Sequence, residues 1–269
     1  MQFSPVDLRK TILEMAYKGQ SVHVGCAFSL VEICAVLYRS ILNLGDKSPR
    51  AKDRDYLVMS KGHGVMAQYA CMRELGWLTD HDIQNYFGEG TELKGLSEGN
   101  IPGLEVSSGS LGHGLSVGVG LALASQKKKE NRNVFCIVGD GEMNEGSIWE
   151  GILFASHFKL DNFFLIVDEN KFQAMGSTKE VMDMGDIRNK LEAFGFNAVD
   201  ADGHNEEDLL AKFNKLLSVK DAKPKAIVAR TVKGHGISFM EANNMWHYTR
   251  LTEETYQAAV NELNQGQKL

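Results

Sequence analysis

The sequence predicts an α/β fold, a doubly wound and mostly parallel sheet with helices on both faces, as a single domain over residues 1–269. Three observations predict it. Short runs such as VFCIVG (134–139) and FFLIVD (163–168) are nearly continuous in apolar residues, the composition of parallel strands covered on both sides. Longer segments between such runs carry apolar residues at intervals of three and four, the helical period. No repeat, low-complexity tract or Pro-rich linker divides the chain, which has only four prolines.

Taken in order, a helix is expected over 29–42 (SLVEICAVLYRSIL), a strand over 56–59 (YLVM) and a helix over 64–75. The Gly- and Ala-rich segment 113–126 reads as a helix, closed by the KKK run at 127–129, whose charges suit a helix C-terminus. Strand 134–139, helix 146–158 and strand 163–168 follow. Strands at 197–201 and 226–231 enclose a helix at 206–217, and a last helix covers 252–263.

Composition narrows the function. The chain has 269 residues, 43% of them apolar, enough for a sizeable core, and a formal net charge of −6 without a dense basic stripe. A nucleic-acid partner is therefore not expected. The N-terminus has no apolar stretch behind its charges, so no signal peptide is read there. No run approaches a membrane span. Cys26, Cys34, Cys71 and Cys136 lack metal-ligand spacing and stand in apolar contexts, which reads as buried reduced thiols in a cytoplasmic protein.

The most informative stretch is VGDGEMNEGSIWEGILFASHFKLDNFFLIVDEN, 138–170. One apolar strand ends on Gly139-Asp140-Gly141, a helix crosses over, and the next strand ends on Asn170. Consecutive parallel strands joined by one helix bring both residues to the same edge of the sheet. A carboxylate and an amide carbonyl are hard oxygen ligands suited to Mg²⁺ and diphosphate oxygens. The glycines admit close backbone approach, and the following helix aims N–H groups the same way. Asp140 as a simple helix cap and Asn170 in a turn explain the same residues without a ligand.

The Gly-Asp-Gly to Asn unit resembles the thiamine-diphosphate motif. That resemblance implies thiamine diphosphate with Mg²⁺ (Ca²⁺ or Mn²⁺ able to substitute), Asp140 and Asn170 as side-chain ligands, and Phe172 as a ligand through its backbone oxygen. SVHVG (21–25), SKGHG (60–64), PGLEVSSGSLGHGLSVGVGLALA (102–124), GDGEMNEGSIWE (139–150) and VKGHGISFMEANNMWHY (232–248) resemble, in this order, the diphosphate-binding domain of transketolases over nearly the whole chain. The resemblance implies a thiamin-diphosphate-binding fold and a sugar-directed role for His23, His63 and His247, with His63 also at the cofactor. It places Gly109, Leu111, Gly112 and Gly114 in a loop over the cofactor, and Glu145 and Glu150 in an acidic network at a subunit interface near it. Two-carbon transfer needs oxyanion stabilisation and proton movement, for which imidazoles are suited. Each histidine could equally be a buried, satisfied side chain. His113 precedes the helix at 113–126, His235 is unassigned, and His81, His157 and His204 read as surface or structural.

The family's pyrimidine-binding domain does not follow within this sequence. The expectation is a split transketolase, with a C-terminal partner subunit supplying that half of each site in an α2β2 assembly. Departures from the family pattern fall at the substrate side: Val22 and Val24 flank His23, Tyr248 follows His247 where Gly is common, and Leu96 in GLSE occupies a family histidine position. Losing a donor there is expected to relax or redirect sugar choice towards modified, deoxy or branched sugars. The competing expectations are deoxyxylulose-phosphate-synthase-like or dihydroxyacetone-synthase-like chemistry and a non-catalytic regulatory subunit.

Overall fold

The computed structural model describes residues 3–266, so the ends of the expected 1–269 domain, residues 1–2 and 267–269, lie outside the described residues. Helices α1 (Pro5–Lys18), α2 (Val24–Phe28) and α3 (Val31–Val36) precede strand β1 (Tyr56–Met59). Then come α4 (Val65–Glu74), α5 (Asp80–Gln84), α6 (His113–Lys128), β2 (Val134–Gly139), α7 (Gly146–His157) and β3 (Phe163–Glu169). A ribbon of β4 (Phe172–Gln173) and β5 (Gly176–Ser177) leads to α8 (Thr178–Met182), α9 (Ile187–Ala193), β6 (Asn197–Asp202), α10 (Glu206–Ser218), β7 (Lys225–Arg230) and α11 (Glu253–Gly266).

Five strands form one wholly parallel sheet in the order β1-β2-β3-β7-β6. Alternation along each strand splits the core in two. Phe135, Ile137, Phe164 and Ile166 point into a cluster with α1, α3, α4 and α10, whereas Cys136, Val138, Leu165 and Val167 point into one with α6, α7 and α9. Phe135 stacks on Phe164 at 4.7 Å and meets Phe213 of α10 edge-on at 6.2 Å. Each such aromatic contributes about 1.5–3 kcal/mol by burial. Among the described residues no helix is long and apolar enough to cross a membrane.

The five expected strands stand within one residue of their bounds. The expected helix over 29–42 is found as α3 running without a gap into a π turn over Leu37–Ile41, closed by Leu42 N–H on the Leu37 carbonyl (2.9 Å); it starts two residues later than expected, because Ser29 and Leu30 form a turn after α2. The later start has a local cause. The Ser29 hydroxyl hydrogen-bonds the Cys26 carbonyl (3.1 Å) and the Asp168 carboxylate (2.7 Å), tying the chain to the sheet's carboxyl edge. The first helix, α1, was not expected from periodicity, although Ser4 caps it and Pro5 opens it. The β4–β5 ribbon and the short α5, α8 and α9 were also not anticipated.

Candidate active site

The carboxyl ends of four strands converge. Gly139 pairs with Asp168 and Asp168 with Ala229, so Asp140, Asn170 and Thr231 sit side by side just beyond β2, β3 and β7, with Lys61 beyond β1. Asp140, Asn170 and Lys61 bound a cleft of about 260 Å³ whose walls also include Phe172, His23, His63 and His247. Gly109, Leu111, Gly139 and Gly141 line the same cleft. The residues expected at the metal, the cofactor and the sugar are thus brought together, with the exception of Gly112, Gly114, Glu145 and Glu150.

Asp168, which the sequence does not single out, organises the floor. It is completely buried, and its carboxylate accepts from Lys61 Nζ (2.5 Å), Ser29 Oγ (2.7 Å), Asn170 Nδ2 (3.0 Å) and Thr231 Oγ1. Burial alone would raise its pKa, but the Lys61 charge and the hydroxyl donors outweigh it and hold the carboxyl below the ordinary carboxylate range. Because the Asn170 amide nitrogen is committed to Asp168, its Oδ1 is left as acceptor, and the Phe172 N–H reaches it at 3.1 Å. Asp140 accepts from Gly141 N–H (2.9 Å) and Lys171 N–H (2.7 Å), so the backbone just after Asn170 is clamped to the acid after β2. Burial, together with the Asp168 charge, pushes Asp140 up to about 7. A carboxylate in that position is short of positive charge, which a divalent cation would supply.

The three histidines form one cluster. Ring centroids are 5.2 Å apart for His23 and His63, 5.5 Å for His23 and His247, and 5.8 Å for His63 and His247. His23 is held in the left-handed region (φ 70°), a costly conformation for a non-glycine residue that aims its ring from the start of α2. Burial and the charges of Lys233 and Lys61 lower His23 to about 4; burial, Lys233 and His23 lower His247 to about 3; burial and Lys61 push His63 well down. All three are neutral near pH 7. Tyr248 lies edge-on to His23 at 5.5 Å, at the rim. Leu96 sits directly over Gly109: a Cβ at Gly109 (φ 148°) would fall 2.7 Å from Leu96 Cδ1. This apolar side chain forms part of the cleft wall.

The expected glycine roles divide. A Cβ at Gly139 would meet only Lys61 Cδ, at 3.7 Å, so that side is open to a ligand; a Cβ at Gly141 would strike Gln173 at 2.7 Å, so Gly141 is required by packing against β4. Glu145 and Glu150, expected in an acidic network at a subunit interface, are both solvent-exposed in the single chain; Glu145 stands at the start of α7, makes no side-chain cap and does not line the cleft. The acid of this segment that reaches the cleft is Glu142, buried on Ser60 Oγ (2.5 Å), Gly112 N–H (2.9 Å) and Gly139 N–H (3.2 Å). Burial raises its pKa against those three donors.

The other histidines lie elsewhere. His113 is exposed, as are His81 and His157. His204 stacks on His235 at 3.7 Å, donates to Glu32 (3.0 Å) and accepts from Val232 N–H (2.8 Å), while Arg9 bonds both Glu32 oxygens. Every ligand atom of His204 and Glu32 is thereby engaged, and the cluster is structural. The four cysteines are free and buried, and Lys127 and Lys128 occupy the last turn of α6. Lys61, Asp168, Glu142 and Lys233 were missed. One signal did exist: KGHG occurs twice, at 61–64 and 233–236, each time just after a strand.

The open side at Gly139, the cation-seeking Asp140 and the oriented Asn170 fit a metal–diphosphate group. Fold and site together define an α/β thiamine-diphosphate-binding domain. The chain belongs to the transketolase family: residues 7–266 match the family described as "Transketolase, thiamine diphosphate binding domain". It is 36% identical over 258 residues to a subunit of the apulose-4-phosphate transketolase of Phocaeicola vulgatus, covering 96% of this chain and 91% of that one. The 6-deoxy-6-sulfo-D-fructose transketolase subunit SqwG of Clostridium sp. is also 36% identical, with 95% and 93% covered. The transketolase structure from Campylobacter jejuni superposes with a TM-score of 0.89 at 28% identity, over 98% of this chain and 42% of that one. The chain thus spans about nine-tenths of the subunit relatives and two-fifths of that solved transketolase.

Proposed function

We propose that this chain is the diphosphate-binding subunit of a two-chain transketolase that transfers a two-carbon ketol unit from a ketose to an aldose, with Mg²⁺ and thiamine diphosphate. The observation that carries this reading is Asp140 and Asn170, at the ends of adjacent strands, opening onto the same cleft as three neutral histidines. When bound, the cofactor supplies an electron sink for carbon–carbon bond cleavage. Asp140, the Asn170 carbonyl and the Phe172 backbone oxygen would hold the cation, and the Gly139 backbone would border the diphosphate. Lys61, drawn to Asp168, keeps that carboxylate ionised and so fixes the Asn170 amide.

His23 and His63 make no hydrogen bond to protein among the described residues, so their ring nitrogens are free for substrate hydroxyl and carbonyl oxygens. With pKa values held down by burial, they can accept or relay a proton without carrying a standing charge. His247 stands across from them. Leu96 replaces a donor by hydrocarbon in this wall, which fits a sugar lacking or displacing one hydroxyl. The relatives of matching length are named for apulose 4-phosphate and 6-deoxy-6-sulfo-D-fructose, and both are named as subunits, which supports a modified sugar substrate and a partner chain. Leu153 and Phe154 on α7 and Val117 on α6 leave an exposed apolar face for that partner.

The test is ketol transfer by this chain co-expressed with a pyrimidine-binding partner, across ordinary and modified ketose donors. Activity with xylulose 5-phosphate and ribose 5-phosphate at ordinary transketolase rates would remove the modified-sugar reading. Turnover only of a decarboxylating donor or of formaldehyde would move the chain to the synthase-like class.

A further inference from the structure

Lys233 is fully buried, yet it belongs to neither the Asp168 hub nor the metal residues. Its Nζ lies 2.6 Å from His247 Nδ1 and 3.2 Å from Asn244 Oδ1. Resting on the reading that the histidine cluster receives the sugar, we propose that Lys233 is a positioning residue that fixes His247 in its Nε2–H tautomer, so that His247 meets the substrate as a hydrogen-bond donor.

The polarity follows from the chain of bonds. The Asn244 amide donates through Nδ2 to the Ala174 carbonyl (3.1 Å), which turns its Oδ1 towards Lys233. An acceptor at that place orients the lysine N–H bonds. An ammonium has three donors and no acceptor, so the His247 nitrogen it touches must carry the lone pair. The other neighbour of Nδ1, Cys26 Sγ at 3.9 Å, offers at most a second weak donor. No carbonyl or carboxylate oxygen bonds Nδ1 among the described residues, so nothing competes to place a proton there. The arrangement is rigid: the lysine stem lies against Gly25, and Asn244 and His247 share one 3₁₀ turn (Asn244–His247) capped by the Asn243 side chain. The same turn therefore carries the imidazole and the group that orients its lysine partner.

The consequence is a division of labour. His23 and His63, without protein partners, can exchange tautomers as protons move. His247 cannot, and it stabilises developing negative charge on a substrate oxygen through Nε2–H.

The direct test is the protonation pattern of the His247 ring in the ¹⁵N-labelled full chain, by long-range ¹H–¹⁵N correlation, with assignment from the signals lost in His247→Gln. A pyridine-type Nδ1 and pyrrole-type Nε2 are expected, retained in Lys233→Arg and scrambled in Lys233→Met. A protonated Nδ1 in the unmodified chain overturns the proposal, and so does an unchanged tautomer in Lys233→Met. Should Lys233→Met fail to fold, the spectrum of the unmodified chain still decides. In the two-chain enzyme at saturating cofactor, Lys233→Met should lower kcat by on the order of tenfold to a hundredfold, with Lys233→Arg recovering part of it. The ring spectrum needs no activity, so a correct tautomer in a chain that transfers no ketol unit would count against the function and not against the positioning role.

Discussion

Lys61 Nζ rests 2.5 Å from Asp168 Oδ2 at the floor of the cleft, and both side chains are shut off from solvent. Removing one member of such a pair strands a buried charge, at a cost of about 3–5 kcal/mol, whereas replacing both with hydrocarbon costs far less. Asp168→Ala and Lys61→Met should each destabilise by that order in urea unfolding. The double variant Lys61→Met/Asp168→Leu should lose clearly less than the sum. Additive losses would mean that the two groups do not depend on each other.

The histidine cluster makes stability depend on pH. Folded His23 titrates at about 4 and His247 at about 3, against an ordinary value near 6.5. The unfolded chain therefore binds more protons below about pH 6.5, and stability falls as pH drops from there towards 4. Thermal unfolding across that window should show a declining Tm, with a shallower decline in His23→Gln/His247→Gln. A double variant with the same slope as the unmodified chain would contradict the assignment.

The metal site predicts a linked effect. In the two-chain assembly, Mg²⁺ with thiamine diphosphate should raise Tm with the logarithm of ligand excess, and a chelator should reverse it. Asp140→Asn should weaken Mg²⁺-dependent cofactor binding by at least about tenfold in calorimetric titration, since it exchanges a charged oxygen ligand for a neutral one. Wild-type affinity in Asp140→Asn would remove Asp140 from the metal site.

Sugar selection should respond to the wall at Gly109. Leu96→His restores a donor on a backbone already shaped to hold a side chain there. It should shift kcat/KM towards donors bearing the full set of hydroxyls, relative to deoxy analogues, by about tenfold. No change in that ratio would place the determinant elsewhere, with Tyr248 at the rim as the next residue to vary.

The sheet was legible because its strands are apolar on both faces and their ends are marked by Asp140 and Asn170. The Gly-Asp-Gly unit, His23 and His63 could be picked out beside their glycines, whereas His247, between Trp246 and Tyr248, and Leu96 could be picked out only through the resemblance to transketolases. Asp168 and Glu142 could not. A sequence shows an acid at a strand end, but not that three strands and α2 will deliver four donors to it. Helix 29–42 begins two residues late because Ser29, its first expected residue, has its hydroxyl claimed by a carboxylate 139 residues away.

The central claim is that this chain holds half of a ketol-transfer site. The most direct measurement is a transfer assay with the partner subunit, Mg²⁺ and thiamine diphosphate, repeated with each chain omitted and with Asp140→Asn in place of the unmodified chain. Product only when both chains are present, and its loss with Asp140→Asn, is the predicted result. Cofactor binding by the assembled pair without transfer from any ketose donor would contradict it.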